Sequence, residues 1–339
     1  MSKSVVLGFS GGIDSTTAVE LLRRDGYTVA ALTLDTVGDE TFVQMAKRRA
    51  QELDLPLYVV DATQQFSSRI IDYFTQSYAC GRTPAPCTLC NPLIKWNNLL
   101  SHADKIGADH IATGHYFKIE EYNNRLYVAK AADSAKDQSY YLWGLSQQIL
   151  ARALTPMGDM IKSEVKQNFA DKRESMGLCF LRGQSYREFL SERCPDVVRK
   201  GDIVDSEGRV VGCHDGVAFY TIGQKRGLDV ELSGVAVVGI DATRNELIVG
   251  KQEELLHATI EVGDCNIVDE EELLTADDIS VVIRGIGRNP GGYARLIERT
   301  KGGYKIHLSE SAWAPAAGQP LVFYRQNRVI GGGIVEYYD

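Results

Sequence analysis

The sequence of 339 residues predicts an α/β domain built on a parallel sheet, followed by two small all-β domains. Before about residue 199, short apolar segments alternate with segments of helical periodicity, which is typical of parallel strands covered on both faces. After that point, short strand-like segments are separated by turn residues, as in all-β domains. We expect the three domains to span 1–198, 199–257 and 258–339.

The first domain opens with a buried strand at residues 5–9 and a helix from Asp14 or Ser15 to Arg24. Gly26 ends this helix, since glycine readily adopts the left-handed conformation found after helices. The following elements are a strand at 28–35, a helix at 42–53, strands at 57–61 and 109–113, and a helix that starts near Asn91 or Pro92.

The β domains are predicted from short apolar runs between glycines and polar turns. In the third domain we expect strands at 280–284, 304–308 and 320–324. The acidic run Asp269–Glu272 is predicted to lie in a solvated connection.

Composition narrows the class of protein. Lys and Arg number 37 against 45 Asp and Glu, a net charge of −8, which argues against a protein coated with basic charge. A local basic face still permits RNA binding, and such a face is predicted from Arg284, Arg288, Arg295, Arg299 and Lys301. The sequence contains no apolar run of the roughly 18 residues expected of a membrane helix and no signal peptide. We therefore expect a cytoplasmic protein without a membrane partner.

The segment Ser10–Ser15 (SGGIDS) follows a strand and opens a helix. Glycines allow a tight turn, and the N–H groups at a helix N-terminus point at an anion such as phosphate. The hydroxyls of Ser10 and Ser15 add donors, and Asp14 is a candidate to cap the helix or to position Mg²⁺. The loop contains no Walker lysine, so it is a different phosphate loop. Its alternative interpretation is a turn that only caps a helix.

Cys87 and Cys90 form a C-x-x-C pair after two prolines, and Cys179 lies in Gly-Leu-Cys-Phe. We expect Cys90 near a helix N-terminus, where the helix dipole favours the thiolate. Three interpretations compete: half of a metal site, buried structural cysteines, or a nucleophile with a sulfur carrier. Seven cysteines is an odd count for a disulfide framework. The remaining four, Cys80, Cys194, Cys213 and Cys265, are predicted to be structural.

The phosphate loop resembles that of the ATP pyrophosphatase (PP-loop) superfamily, and the whole chain resembles the tRNA-specific 2-thiouridylase family. The matching blocks occur in family order over nearly the whole chain. They are GFSGGIDS (8–15), GRTPAPCTLCN (81–91), ADHIATGHY (108–116), KDQSYYL (136–142), MGLCF (176–180), YTIGQKRGL (220–228), GQPLVFY (318–324) and GGGIVE (331–336).

The resemblance implies an adenine nucleotide α-hydrolase-like fold and ATP with Mg²⁺ as cofactors. The C2 oxygen of the wobble uridine would attack the α-phosphate of ATP, and sulfur would then replace the adenylated oxygen. By resemblance, Cys179 carries a persulfide and Cys90 is its nucleophilic partner, so that the two end as a disulfide. The ATP site would comprise Gly8, Phe9, Ser10, Gly11, Gly12, Ile13, Asp14, Ser15, Leu34 and Gly114.

The resemblance also implies tRNA as substrate and a sulfur-relay protein or cysteine desulfurase as sulfur donor. The target base would leave the anticodon stack to enter the site. Ala85, Pro86 and Cys87 occupy the positions that meet this base. The other positions that match tRNA contacts are Lys136, Asp137, Gln138, Arg284 and Gln319. His115 either orients the nucleotide or is a structurally satisfied histidine.

Cys87 departs from the family pattern, because many members carry an aspartate at this position. An alternative interpretation is therefore that Cys87, Cys90 and Cys179 hold a [4Fe-4S] cluster. A diverged paralogue is a further alternative, since the segment after the second strand, residues 35–40, also differs. Two other functions would each explain only one feature of the sequence. An ammonia-dependent adenylating ligase would need the loop but not the cysteines. An RNA-binding module would need only a metal at the C-x-x-C pair.

Overall fold

The computed structural model describes residues 3–167, 177–230 and 232–339, so that Met176 of the MGLCF block lies outside the described residues. The chain divides into two compact units. The first comprises Met1–Ile70, Cys87–Met176 and Asn327–Val329, and the second comprises Ile71–Pro86, Gly177–Gln326 and Ile330–Asp339. Residues of both units alternate along the chain, since Ile71–Pro86 leaves the first unit and Cys87 re-enters it.

The helices and strands of the described residues are numbered in chain order. The helices are α1 Ile13–Arg24, α2 Glu40–Glu52, α3 Thr63–Phe66, α4 Asp72–Ala79, α5 Pro86–Cys90, α6 Asn97–Ile106, α7 Gln147–Leu150, α8 Lys162–Gln167, α9 Tyr186–Arg193 and α10 Glu270–Thr275. The strands are β1 Ser4–Gly8, β2 Thr28–Asp35, β3 Leu57–Asp61, β4 His110–Thr113, β5 Lys118–Tyr122, β6 Arg125–Ala129, β7 Ala153–Leu154, β8 Gly201–Asp205, β9 Val210–His214, β10 Asp229–Val230, β11 Ala236–Asp241, β12 Glu246–Gly250, β13 Leu256–Ile267, β14 Ile279–Val282, β15 Ala294–Arg299, β16 Gly303–Trp313, β17 Pro320–Arg325 and β18 Arg328–Tyr338.

The first unit contains a parallel sheet with strand order β3-β2-β1-β4-β7. Strand β1 lies between β2 and β4, both parallel to it. Its residues Val5, Val6 and Leu7 are fully buried, as expected of a strand covered on both faces. The carboxyl ends of β1, β2 and β4 therefore meet at one edge of the sheet, where open α/β sheets bind ligands.

A core cluster covers the sheet on the side of α1. It joins Val5 and Leu7 of β1 to Ala18, Val19 and Leu22 of α1, together with further apolar residues of β2, α2 and α8. Burial of these side chains fixes α1 against the sheet, and thereby fixes the loop that connects β1 to α1. The hairpin β5–β6 also belongs to this unit, and Ala129 of β6 pairs with Arg328.

The second unit contains two β-sheets. One has the order β10-β9-β8-β12-β11, in which β12 and β8 run parallel and the other pairs are antiparallel. The other runs β14-β17-β18-β13-β16-β15, and its pairs β14–β17, β18–β13, β13–β16 and β16–β15 are antiparallel. The predicted fold class, a parallel-sheet α/β domain followed by β-rich domains, is thus confirmed. The residue boundaries of the three domains stay a prediction.

One local prediction is wrong, and a second, for the acidic run in the connection between β13 and β14, missed a short helix. The segment expected to approach Cys90 without helix begins a helix at Pro86, and α5 continues through a wide π-type turn at Asn91–Trp96 into α6. Proline suits the first turn of a helix, because its missing N–H would have no partner there. The acidic run forms the start of α10, since Asp269 caps it and accepts the N–H of Glu272 at 3.1 Å.

No helix among the described residues is both long and apolar enough to cross a membrane.

Candidate active site

The loop between β1 and α1 is closely packed at two glycines, Gly11 against α2 and Gly114 against the start of α1. Gly11 has φ = +73°, and a Cβ built on it would lie 3.2 Å from the Cα of Ala46 in α2. A Cβ on Gly114, directly after β4, would lie 3.0 Å from the backbone nitrogen of Ser15. Both positions therefore favour glycine, Gly11 for conformation and space and Gly114 for space alone. Gly114 therefore lies beside the loop, and its contact with the nucleoside of ATP stays a prediction.

The serines of the loop form a local hydrogen-bond network. The hydroxyl of Ser15 donates to the carbonyl of Gly12 at 3.2 Å and lies 3.3 Å from the hydroxyl of Ser10. Gly12 is the N-cap of α1 and has no side chain with which to satisfy the first N–H groups of the helix. A helix that starts in this way, with serines around it, is suited to hold an anion.

Asp14 is not the cap of α1 but lies in its first turn, and its carboxylate is held from two sides. Its Oδ1 accepts the phenol of Tyr116 at 2.8 Å and the ammonium of Lys162 at 2.6 Å. Sequence reasoning missed both partners. Tyr116 lies in the ADHIATGHY block, so that a signal existed, whereas Lys162 lies in a segment without a recognisable pattern.

Residues 131–139 form a loop that backs both partners of Asp14. Gln138 and Tyr116 are joined twice, since the Gln138 N–H donates to the Tyr116 carbonyl and the Tyr116 N–H donates to Oε1 of Gln138, each at 2.9 Å. The N–H of Lys162 donates to Oδ2 of Asp133 at 2.9 Å. Asp137 accepts the N–H of Ala131 at 2.9 Å and so stabilises the loop itself.

This arrangement bears on the predicted tRNA contacts Lys136, Asp137 and Gln138. The polar side chains of Asp137 and Gln138 accept hydrogen bonds from backbone N–H groups of the same unit. They therefore have a structural role that the sequence did not reveal. Their contact with tRNA stays a prediction.

His115 is a structurally satisfied histidine. Its Nδ1 lies 2.8 Å from the hydroxyl of Thr113, and its ring stacks on Trp96. Burial, with a smaller contribution from the nearby Lys95, lowers the pKa of His115 to about 3. The imidazole is therefore neutral and supplies no positive charge to the loop at neutral pH.

The C-x-x-C pair lies at the start of the helical segment that begins at Pro86, with Cys87 in its first turn. Cys90 is 5% exposed, whereas Cys87 is half-buried. Cys90 thus sits one turn into the helix, and Cys87 is closer to the N-terminal end at which we expected Cys90. The side-chain amide of Asn91 donates to the carbonyl of Tyr141 at 3.0 Å, which packs this segment against the KDQSYYL block.

Cys179 belongs to the second unit and is exposed at the start of a short 3₁₀ turn, Cys179–Leu181. The next side chain, Phe180, is buried and packs edge-on against Phe74 of α4 and at a tilt against Phe189 of α9. The aromatic cluster anchors the turn while the thiol stays accessible. Among residues 3–167, 177–230 and 232–339, no group of three or more His, Cys, Asp or Glu side chains is arranged to hold a metal ion.

The second unit also joins the start of the GRTPAPC block, which carries Ala85 and Pro86, to the C-terminal sheet. Arg82 forms an ion pair with Glu336 at 3.1 Å, and the N–H of Thr83 donates to the carbonyl of Ala317 at 2.8 Å. A Cβ on Gly318 would lie 3.0 Å from the Arg82 side chain. Sequence positions more than 200 residues apart are thereby brought together beside Gln319.

Gln319 and Arg284, two predicted tRNA contacts of this unit, differ in whether their polar groups have partners within the protein. Oε1 of Gln319 is buried and accepts no hydrogen bond from any described residue. The guanidinium of Arg284 lies 5.2 Å from the ring centroid of Trp313 and donates to the carbonyl of Ala314. Arg284 is therefore held in place by its own domain.

The fold and the loop together define a nucleotide-binding α/β domain joined to β domains. Family models match the chain in three consecutive parts: a tRNA methyl transferase HUP domain over residues 3–183, a tRNA methyl transferase PRC-barrel domain over 187–251 and an aminomethyltransferase β-barrel domain over 258–335.

Curated relatives extend over nearly the whole chain. The tRNA-specific 2-thiouridylase MnmA of Clostridium acetobutylicum is 35% identical over 99% of this chain and 100% of its own length. The tRNA-specific 2-thiouridylase MnmA 3 of Bacteroides fragilis is 39% identical over 98% of this chain and 94% of its own length. The chain belongs to the tRNA-specific 2-thiouridylase family. A solved 4-thiouridine synthetase–RNA complex with bound ATP is 16% identical, with a TM-score of 0.36 over 57% of this chain and 51% of that chain.

The loop geometry predicts the effect of Gly11→Ala. The new Cβ meets α2 and the left-handed backbone is strained by about 1–2 kcal/mol, so that we expect ATP affinity to fall at least about tenfold. Gly26→Ala is the matched control, because Gly26 also has positive φ but a Cβ there meets nothing within 4 Å. Isothermal titration with ATP should show a loss for Gly11→Ala only. Equal ATP affinities in both variants would contradict the assignment of the loop.

His115 predicts a contribution to acid sensitivity. Its pKa is lower in the folded state, about 3, than the ordinary value of 6.5, so the unfolded chain binds the proton first as pH falls. Above pH 6.5 the ring is neutral in both the folded and the unfolded chain, so it does not change the free energy of unfolding. Below pH 6.5 the free energy of unfolding falls by at most about 1.4 kcal/mol per pH unit. Urea unfolding of His115→Gln between pH 7 and 4 should therefore show a shallower decline than the parent. His307→Gln, at a half-exposed histidine of the second unit, is the control.

Proposed function

We propose that this chain is a tRNA 2-thiouridylase that uses ATP to activate the wobble uridine of tRNA and replaces its C2 oxygen by sulfur. The observation that carries the proposal is the relation to named 2-thiouridylases at 35% and 39% identity over nearly the full chain. The glycine-rich loop and the two cysteines in different surroundings support it, because the reaction needs an adenylating site and a sulfur carrier.

The first step forms an adenylated base. The uridine C2 oxygen attacks the α-phosphorus of ATP, and pyrophosphate leaves with the electron pair of the broken P–O bond. The loop Gly8–Ser15 would bind the phosphates, and Leu34 and Gly114 at the carboxyl edge of the sheet would flank the nucleoside. Mg²⁺ usually binds through one or two carboxylates together with substrate phosphates, and Asp14 is the carboxylate of the loop. AMP is then a good leaving group at C2.

The second step transfers sulfur. The terminal sulfur of a Cys179 persulfide attacks C2, AMP leaves, and the Cys90 thiolate then attacks Sγ of Cys179 to release 2-thiouridine. A variant of this step has Cys90 first release the terminal sulfur as sulfide, which then attacks C2. In both cases one sulfur atom is reduced and the two thiols are oxidised to a disulfide, which an external dithiol must reduce. The exposed Cys179 and the buried Cys90 suit a carrier and a shielded nucleophile.

tRNA would bind to both units. Ala85, Pro86 and Cys87 would meet the flipped base, and Lys136 would contact the RNA backbone from the loop that Asp137 and Gln138 stabilise. The side-chain carbonyl oxygen of Gln319 accepts no hydrogen bond from a described residue, which supports a polar contact with tRNA at the C-terminal sheet. Arg284, which follows β14, would contact tRNA as well. We place the reaction in the cytoplasm. The sulfur donor would be a cysteine desulfurase or sulfur-relay protein, to which an exposed Cys179 is accessible.

The proposal predicts that Cys90→Ser and Cys179→Ser each lower thiolated-tRNA yield at least about a hundredfold, because neither hydroxyl can carry or exchange sulfur. Adenylation should persist in both variants. The assay is anaerobic incubation of unmodified tRNA with ATP, Mg²⁺ and a persulfide donor, followed by nucleoside analysis. Cys213→Ser, at another exposed cysteine, is the control. An unchanged yield in Cys179→Ser, or ATP cleavage without any thiolated uridine in the parent, would contradict the proposed reaction.

The iron–sulfur alternative makes a different prediction from the same assay. It requires thiolation only after cluster reconstitution, and it requires Cys87 as well as Cys90 and Cys179. We expect thiolation by protein free of iron. Cys87→Ala supplied with persulfide should also form 2-thiouridine without iron, even where loss of its contact with the base lowers the rate. Activity restricted to the reconstituted protein would overturn the persulfide route.

Asp14 gives a prediction for the first step. Asp14→Asn keeps the size of the side chain but removes its charge, so AMP formation in the presence of tRNA should fall at least about a hundredfold. A folded Asp14→Asn protein with normal AMP release would remove Asp14 from the mechanism. Circular dichroism and the melting temperature serve as the folding control.

A further inference from the structure

The phosphate loop contains no cation of its own. Residues 8–15 read GFSGGIDS, with neither lysine nor arginine, and their one ionisable side chain is an acid. A triphosphate held there meets backbone N–H groups and hydroxyls, yet the departure of pyrophosphate develops negative charge that fixed positive charge stabilises. A cation from elsewhere in the first unit is therefore expected at the loop.

Lys162 is in that position. It is the first residue of α8, its side chain is buried with the residue 6% exposed, and its ammonium lies 2.6 Å from Oδ1 of Asp14. Lysine is rarely buried, because its charge must be removed from water. Here the cost of burying the ammonium is offset by the ion pair with Asp14, a residue of the phosphate loop. Many surface lysines have no such fixed partner.

Two further contacts hold Lys162 in place, and a third holds its partner Asp14. Its backbone N–H donates to Asp133 at 2.9 Å, its ammonium lies 5.6 Å from the ring centroid of Tyr116, and the Tyr116 phenol donates to the same oxygen of Asp14 at 2.8 Å. The lysine is thus positioned by the loop 131–139 and by Tyr116. Such a positioned charge needs little reorganisation when the reaction proceeds.

Arg49 of α2 is a second cation beside the loop. Its Nε lies 3.4 Å from the hydroxyl of Thr16, and its Nη1 forms an ion pair with Glu52 at 2.6 Å. This pair is made within α2, to a carboxylate that is half-exposed. Arg49 is therefore neutralised by its own helix, while Lys162 is paired to the residue expected to face Mg²⁺.

We propose that Lys162 is a catalytic residue that binds the β- and γ-phosphates of ATP and stabilises the departing pyrophosphate. The inference deepens the proposed function and rests on it. On ATP binding, the ammonium would turn from Asp14 to a phosphate oxygen, and the Asp14 carboxylate would then be able to hold Mg²⁺. Tyr116 is a positioning residue in this exchange, because it keeps a hydrogen bond to the Asp14 carboxylate.

The test compares ATP with AMP, because only ATP carries the phosphates assigned to Lys162. In titrations with Mg²⁺ and without tRNA, Lys162→Met should weaken ATP binding by about ten- to hundredfold, the range for loss of a charged hydrogen bond. AMP affinity should stay within about twofold. Lys162→Arg should retain part of the ATP affinity, and inhibition by inorganic pyrophosphate should weaken in Lys162→Met. Lys166→Met, at an exposed lysine of the same helix, is the matched control.

A merely structural role gives a different pattern. Removal of Lys162 leaves the charge of Asp14 uncompensated, so a structural pair would make Lys162→Met less stable and weaken ATP and AMP alike. The double variant Asp14→Asn/Lys162→Met removes both charges, and it should regain the parent's melting temperature but not its preference for ATP over AMP. Equal losses for the two nucleotides, or unchanged ATP affinity, would overturn the inference. Because no tRNA or sulfur is needed, absent thiolation leaves this test intact, whereas a parent chain that binds no ATP overturns both proposals.

Discussion

Close backbone approach at the phosphate loop is the constraint on which the first unit depends. A Cβ on Gly11 would lie 3.2 Å from Ala46 in α2, and one on Gly114 would lie 3.0 Å from Ser15 in α1. The loop is thus enclosed between a helix on one side and the end of β4 on the other. Small residues at two points far apart in sequence allow the carboxyl edge of the sheet, the start of α1 and the loop to meet.

A set of hydrogen bonds extends from this edge to the KDQSYYL block. Gln138 is paired with the backbone of Tyr116, and the phenol of Tyr116 donates to Asp14. Asp133 in the same loop accepts the N–H of Lys162, the other partner of Asp14. A segment whose family resemblance implies contact with tRNA therefore also supports the acidic residue at the phosphate loop. A shift of the loop 131–139 would therefore displace both Tyr116 and Lys162, the two partners of Asp14.

The two cysteines that we propose for sulfur transfer lie in contrasting environments. Cys90 is buried within a continuous helical segment, and Cys179 is exposed on a short turn that Phe180 anchors among aromatic rings. An exposed thiol can meet a protein donor of sulfur, while a buried one is protected from unwanted oxidation. The contrast fits a division between carrier and nucleophile that identical surroundings would not explain.

The sequence by itself determined the fold class, the loop and the positions of β1 to β4 of the parallel sheet, because hydrophobic periodicity and glycine-rich turns are local properties. It also indicated the family, since the motif blocks occur in order along the chain. It misplaced the start of the Cys90 helix, because proline at the first turn and proline in a loop have the same local pattern. Only the tertiary structure decided that Tyr116 and Lys162 hold Asp14, that Asp137 and Gln138 bond to backbone, and that Arg82 meets Glu336. These contacts join residues separated by 6 to 254 positions, and such pairings arise from the packing of whole elements, which no local pattern encodes.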